Sequence, residues 1–171
     1  FCIEFMSKFI DRLSILKKKI YSKKNSYSFG GSDLLIDYIF KSKKSGFYLD
    51  IGCQHPVSNN NTYLLYRRGW NGINIDLDSK NIRLFNLERP NDINICKCVS
   101  SDNSKKNLFF FHQGSPINSL EKKTIKDKSN YTLKQIDTYT LNSILEDQKI
   151  RNIDYFNLDV EGHEIEILKN F

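Results

Sequence analysis

With 171 residues, 39% of them hydrophobic, the chain is long enough for one domain with a real core and calls for no second one. Its 26 basic and 20 acidic side chains leave a net charge of +6, but the lysine clusters at 17–19, 23–24 and 41–44 lie near the N-terminus without interleaved stacking aromatics, so they read as solvated charge and a nucleic-acid partner is disfavoured. No apolar run reaches the ~18 residues of a membrane span, so no transmembrane helix is expected.

In chain order, Phe5, Phe9, Leu13, Leu16 and Ile20 recur at steps of three and four and predict an amphipathic helix over 5–20. Lysines cover its other side, so a weak membrane-surface contact is one reading and a helix packed on the domain edge the favoured one. Residues 26–32, SYSFGGS, read as a linker, and Ser32 or Asp33 can cap the helix that follows through 40. Residues 1–45 are thus expected to be a helical extension and linker, and 46–171 a single catalytic or binding domain.

The stretch 46–78 reads as strand, polar turn, crossover helix ended by Gly69, and a second strand over 72–77. Ser79 is expected to cap a helix through 87, and a third strand is predicted over 93–99, followed by a polar loop at 100–106. A short strand at 108–111, an irregular polar segment at 114–130 and a strand at 133–136 come next. A helix over 140–147 capped by Thr138 or Thr140, a strand over 153–158 and a helix from about 164 complete the pattern. Strands alternating with helices predict an α/β fold with a mainly parallel sheet and helices on both faces. The chain starts at Phe1, stops at Phe171 inside an expected helix, and reads as a fragment.

The cysteines at 2, 53, 96 and 98 lack paired metal-ligand spacing, and His55 and His112 stand apart from any carboxylate or thiol in such spacing. Buried free thiols in a reducing, cytoplasmic setting, no metal, and surface or loop histidines are therefore expected. Asp50 and Asp76 close the first two strands, Gly52 follows the first at once, and Asp159-Val160-Glu161-Gly162-His163-Glu164 follows the last. In open parallel sheets ligands sit beyond the carboxyl ends of the strands.

These three motifs, Asp50-Ile51-Gly52, Gly72-Ile73-Asn74-Ile75-Asp76 and Asp159-Val160-Glu161-Gly162-His163-Glu164, occur in an order that resembles the FkbM family of S-adenosylmethionine-dependent methyltransferases. The resemblance covers 46–171 and implies a Rossmann-like class I methyltransferase fold, S-adenosylmethionine as cofactor, and O-methylation of a hydroxyl on a sugar, glycan or small metabolite. It implies that Gly52 and the amides of Cys53 and Gln54 meet the methionine part of the cofactor, with Asp50 fixing the turn or receiving its ammonium. Asp76 would accept the ribose hydroxyls, as an acid ending the second Rossmann strand does. Val99 and Ser100 fall beside the adenine, and Asn61 and Thr62 at the head of the crossover helix are placed to reach the cofactor carboxylate. Asp159, Glu161 and His163 are the candidates for orienting the acceptor and taking its proton, the two acids ranking ahead of the histidine because the family pattern varies at that position. Asp78 has no partner motif and reads as a turn or cap residue.

Three departures stand beside the matches: Pro56 where relatives carry a second glycine, Asn142 where an aspartate is common, and an end one helix after the late motif, which leaves a sheet edge uncovered. A nicotinamide-dependent oxidoreductase shares the early layout, but Gly52 is followed by Cys53-Gln54-His55-Pro56 instead of a G-x-G-x-x-G turn. A non-catalytic Rossmann-like binding domain is the remaining alternative, and the acceptor itself cannot be read from these motifs.

Overall fold

The computed structural model describes residues 2–21, 26–122 and 131–171, with side chains in the first helix given for 7–19. Lys23, Lys24, residues 123–130 and the side chains of Cys2, Phe5 and Ile20, all named above, lie outside the described residues. The N-terminal half runs α1 (Cys2–Tyr21), α2 (Ser32–Ile39), β1 (Phe47–Ile51), α3 (Tyr63–Arg67), β2 (Asn71–Asp76) and α4 (Ser79–Glu88). The remainder runs β3 (Ile93–Cys96), β4 (Cys98–Val99), β5 (Lys105–Phe110), β6 (Thr132–Tyr139), α5 (Leu141–Asp147), β7 (Tyr155–Leu158) and α6 (Glu164–Leu168).

β3, β2, β1 and β7 form a parallel sheet in that spatial order, in keeping with the expected Rossmann-like α/β class. Side chains alternate along a strand, so the register sorts them by face. Leu49 and Ile51 of β1 lie beside Ile73 and Ile75 of β2 and pack with Leu141, Ile144 and Ile167 from α5 and α6. This face is the apolar core. The opposite face is polar: Tyr48 and Asp50 pair in register with Tyr155 and Asn157 of β7, and Asp50 also with Asn74 of β2.

That polar face is closed by Arg89, which is fully buried. Its guanidinium donates to the Pro56 carbonyl, to Asn60 Oδ1 at 2.6 Å and to Thr62 Oγ1 at 2.8 Å. Asp92, reached by the turn after Arg89, accepts from Gly72 N at 3.0 Å, from Asn74 Nδ2 at 2.9 Å and from the Tyr48 hydroxyl. Burial pushes the carboxyls of Asp50 and Asp92 upward, and the nearby Arg89 charge works against that shift.

Several local expectations are corrected. The crossover 56–71 is mostly an irregular loop, with a helix of only five residues at its end, because Asn60 and Thr62 are drawn into the Arg89 network. The predicted third strand splits at Lys97: its amide donates to the Asp76 carbonyl at 3.1 Å, after which β4 leaves β2 and pairs in parallel with β6, which pairs antiparallel with β5. Asp78, not Ser79, caps α4, accepting from Lys80 N at 2.9 Å. α5 is capped by Thr140 through Ser143 N, while Thr138 is spent inside β6 on Ser104 and Asp102. Neither Ser32 nor Asp33 caps α2: Asp33 turns back to the Ser26 and Ser28 hydroxyls and the Tyr27 amide. His55 is the loop histidine expected, its Nδ1 accepting from Val57 N and Ser58 N, and burial lowers its pKa to about 4.

α1 does pack on the domain, but not through the expected stripe. It docks on α4 through Ile15, which is buried with Val57, Tyr63 and Leu84, and through Asp11, which lies 2.6 Å from Arg83. Phe9, Leu13 and Leu16 stay exposed, Leu16 at the rim of a groove with Leu87 and Glu88 of α4. No helix among the described residues is long and apolar enough to cross a membrane.

Candidate active site

β1 lies between β2 and β7, and its flanking connections depart to opposite sides, which opens a crevice at the carboxyl ends of these strands. A cleft with about 760 Å³ of empty space, the open solvent at its mouth included, lies there. Gly52 and Gln54 after β1, Asp76 and Asp78 at the end of β2, and Asp159, Glu161 and His163 after β7 all line it.

Gly52 is demanded by the close approach of two strand ends. Its φ is +77°, and a Cβ there would collide with the carbonyl oxygen of Asp159. The amides expected to face a ligand are used internally: Gly52 N and Cys53 N both donate to the Ile75 carbonyl, and Gln54 N donates to Asp76 Oδ2 at 2.9 Å. Cys53 itself is buried against Ile82 and Phe85 and does not line the cleft. Gln54 at φ 51° and Glu161 at φ 53° hold left-handed backbone on opposite walls, a sparsely populated state for such residues that concentrates at ligand sites.

Asp76 receives the Gln54 amide, the Asp78 amide at 2.8 Å and Asn81 Nδ2 at 3.2 Å. Burial, opposed by these donors, lifts its pKa to about 6. Asp50 sits beneath the cleft, fully buried, and accepts from Thr62 Oγ1 at 2.7 Å, Asn60 Nδ2 at 3.2 Å and Asn157 Nδ2 at 2.8 Å. Asn61 binds Asn157 at 2.9 Å and Thr62 belongs to the Asp50–Arg89 network, so neither side chain reaches the cleft. Val99 lines the cleft, whereas Ser100 stands behind it.

His163 stands at the head of α6. It is buried, with Nε2 2.8 Å from Ser100 Oγ and Nδ1 2.8 Å from Glu121 Oε1. Glu164 accepts from Val160 N and Gly162 N and so braces the tight turn that carries Glu161. Asp159 and Glu161 are exposed at the mouth and their carboxylates make no hydrogen bond among the described residues. The Glu161 carboxyl is pushed upward by its partial burial and by the neighbouring Asp159 and Glu164 charges.

Residues 115–120, in the stretch that sequence reading left irregular, wall the cleft on its remaining side: Ser119 bridges to Phe109 of β5 and donates to the Glu161 carbonyl at 3.2 Å. Their only sequence signal was a polar Pro- and Gly-containing loop between strands, the sort of segment that carries function. Glu121, Arg89 and Lys97 were also missed, and no motif marks them. The cleft's charged lining is Asp76, Asp78, Asp159 and Glu161 against Lys97. Four carboxylates around apolar walls of Ile51, Ile75, Leu77 and Val99 suit a ligand that is cationic at one part and flat and apolar at another.

Residues 50–170 match the family model described as Methyltransferase FkbM domain. No curated protein and no solved structure matches the chain.

Proposed function

The chain belongs to the FkbM methyltransferase family, and from that premise we propose that it is an S-adenosylmethionine-dependent O-methyltransferase acting on a hydroxyl of a sugar, glycan or small metabolite. The observation that carries the reading is the acid-lined cleft at the carboxyl ends of β1, β2 and β7. When bound, S-adenosylmethionine supplies an electrophilic methyl group on a cationic sulfur. Asp76, Asp159 and Glu161 complement its positive charges, and Ile75, Leu77 and Val99 suit an adenine ring.

Asp76 is the proposed acceptor for the ribose hydroxyls, since its three protein donors leave acceptor capacity on the carboxylate. Gly52 and Gln54 border the methionine side, with Asp50, Cys53, Asn61, Thr62 and Ser100 supporting the walls from behind. In the reaction, the acceptor oxygen forms a bond to carbon as the carbon–sulfur bond breaks, and the hydroxyl proton leaves to a base. Glu161 is the proposed base: it is exposed, otherwise unbonded, and shifted toward neutrality, which favours proton transfer near neutral pH. Asp159 beside it orients the acceptor, and His163, held at both nitrogens, fixes the wall between them. Exposed carboxylates at an open mouth also suit an acceptor with several hydroxyls.

Incubation with methyl-labelled S-adenosylmethionine and a set of mono- and oligosaccharides tests the assignment. Label on acceptor oxygen, lost in Glu161→Gln, supports it; label carried on nitrogen, or full activity in Glu161→Gln, contradicts it.

A further inference from the structure

The outward surface of the two N-terminal helices lies before the family-matched residues and has no part in the cleft. On α1, Phe9, Leu13 and Leu16 share one side at helical spacing, with Ile10 next to them, and they are 56%, 41%, 52% and 58% exposed respectively. A helix packed only for stability would bury that stripe. Here the buried contacts are made by Asp11 and Ile15 instead.

Charge follows the same arrangement. Among side chains 7–19 every exposed charge is basic, at Lys8, Arg12, Lys17, Lys18 and Lys19, while the acid Asp11 is turned inward to Arg83. α2 repeats the pattern: Leu35, Tyr38 and Ile39 are each more than 60% exposed, Asp33 is bonded back to residues 26–28, and Asp37 is paired with Arg68. The clusters under α1 and α2 share Tyr66 of α3, so both helices rest on the same side of the domain.

We propose that α1 and α2 form a docking surface for an anionic lipid bilayer, with Phe9, Leu13 and Leu16 entering the boundary between headgroups and acyl chains and Arg12 and Lys17, on either side of that stripe, meeting lipid phosphates. An apolar stripe flanked by cations complements that surface, and Glu88, the acid of α4 that borders Leu16, is neutralised by Lys19 at 2.6 Å. A second copy of the chain would bring the same basic rim against it, and like charges across a two-fold oppose such an interface. The inference is independent of the methyl acceptor.

Flotation of the full chain with phosphatidylcholine vesicles, with and without phosphatidylglycerol, tests it. Binding is expected only to vesicles containing phosphatidylglycerol, with release by salt. Lys17→Ala should weaken it about fivefold and Leu13→Ser about tenfold, both at exposed positions that leave the thermal midpoint in place. Equal binding to neutral and anionic vesicles, no binding to either, or unchanged binding in both variants overturns the proposal. So does a dimer in sedimentation that Leu13→Ser dissociates.

Discussion

His163 Nδ1 stands 2.8 Å from Glu121 Oε1, which ties the turn after β7 to a loop that enters the cleft from the second sheet. Ser100 holds the other ring nitrogen. Replacing Ser100 by Ala leaves a buried imidazole nitrogen without a partner and should cost ~1–3 kcal/mol in urea unfolding. Glu121→Gln keeps an acceptor at Nδ1 and should retain most methyl transfer, whereas Glu121→Ala should lower it with little change in cofactor affinity. Equal activity in the two Glu121 variants and an unchanged urea midpoint for Ser100→Ala would remove the pair from the account.

Asp76 is expected to set the pH dependence of cofactor binding. Its pKa is lifted from 3.8 to about 6 by burial, so the folded protein keeps this proton up to that pH although an unfolded chain would have released it. Folding stability from this group therefore falls as pH rises through about 4 to 6 and is level above. Affinity for the proposed ligand is expected to run the other way, because the ionised carboxylate is the stronger acceptor for a ribose hydroxyl. Titrations with S-adenosylhomocysteine should give affinity that is level above pH 7 and declines as pH drops through about 6, with the decline absent in Asp76→Asn.

The strand-end acids were legible in the sequence, and so was the α/β alternation that places them. What could not be read was depth. Asp50 and Asp76 look equivalent, yet Asp50 lies one residue before its strand ends and is buried under the turn, while Asp76 is the last residue of β2 and reaches the cleft. The alternation of Tyr48, Asp50 and Asn74 with Leu49, Ile51 and Ile73 gives the sheet one polar face. That face exists only because Arg89, far along the chain, returns to fill it, and no local period announces such a partner. Phe9, Leu13 and Leu16 of the expected α1 stripe do share one side, but periodicity does not say which side meets the protein.

Arg89 should be the least replaceable residue of the polar face. Arg89→Met keeps volume but removes the donors to Pro56, Asn60 and Thr62 and the cation between Asp50 and Asp92. A loss of ~3–5 kcal/mol is expected, as for other buried charges stripped of a partner. Arg89→Lys should not restore it, since one ammonium cannot reproduce the forked contacts. Urea midpoints within experimental error of wild type for either variant would contradict this.

Gly52→Ala and Gly69→Ala separate backbone conformation from close approach. Both glycines have positive φ, +77° and +91°, but a Cβ at Gly69 meets nothing within 4 Å. Gly69→Ala should cost only ~1–2 kcal/mol from left-handed backbone. Gly52→Ala must also push the Asp159 carbonyl away, so it should cost more and disturb the cleft, read as a larger drop in thermal midpoint and weaker S-adenosylhomocysteine binding. Equal losses would mean that the contact between Gly52 and Asp159 is not tight.

The central claim is that the cleft between β1, β2 and β7 holds the methyl donor through Asp76. Isothermal calorimetry with S-adenosylhomocysteine measures this most directly. One site per chain, weakened by about tenfold or more in Asp76→Ala as expected for a lost charge-assisted hydrogen bond, is the predicted result. No binding to the wild-type chain, or the same affinity after Asp76→Ala, would contradict it.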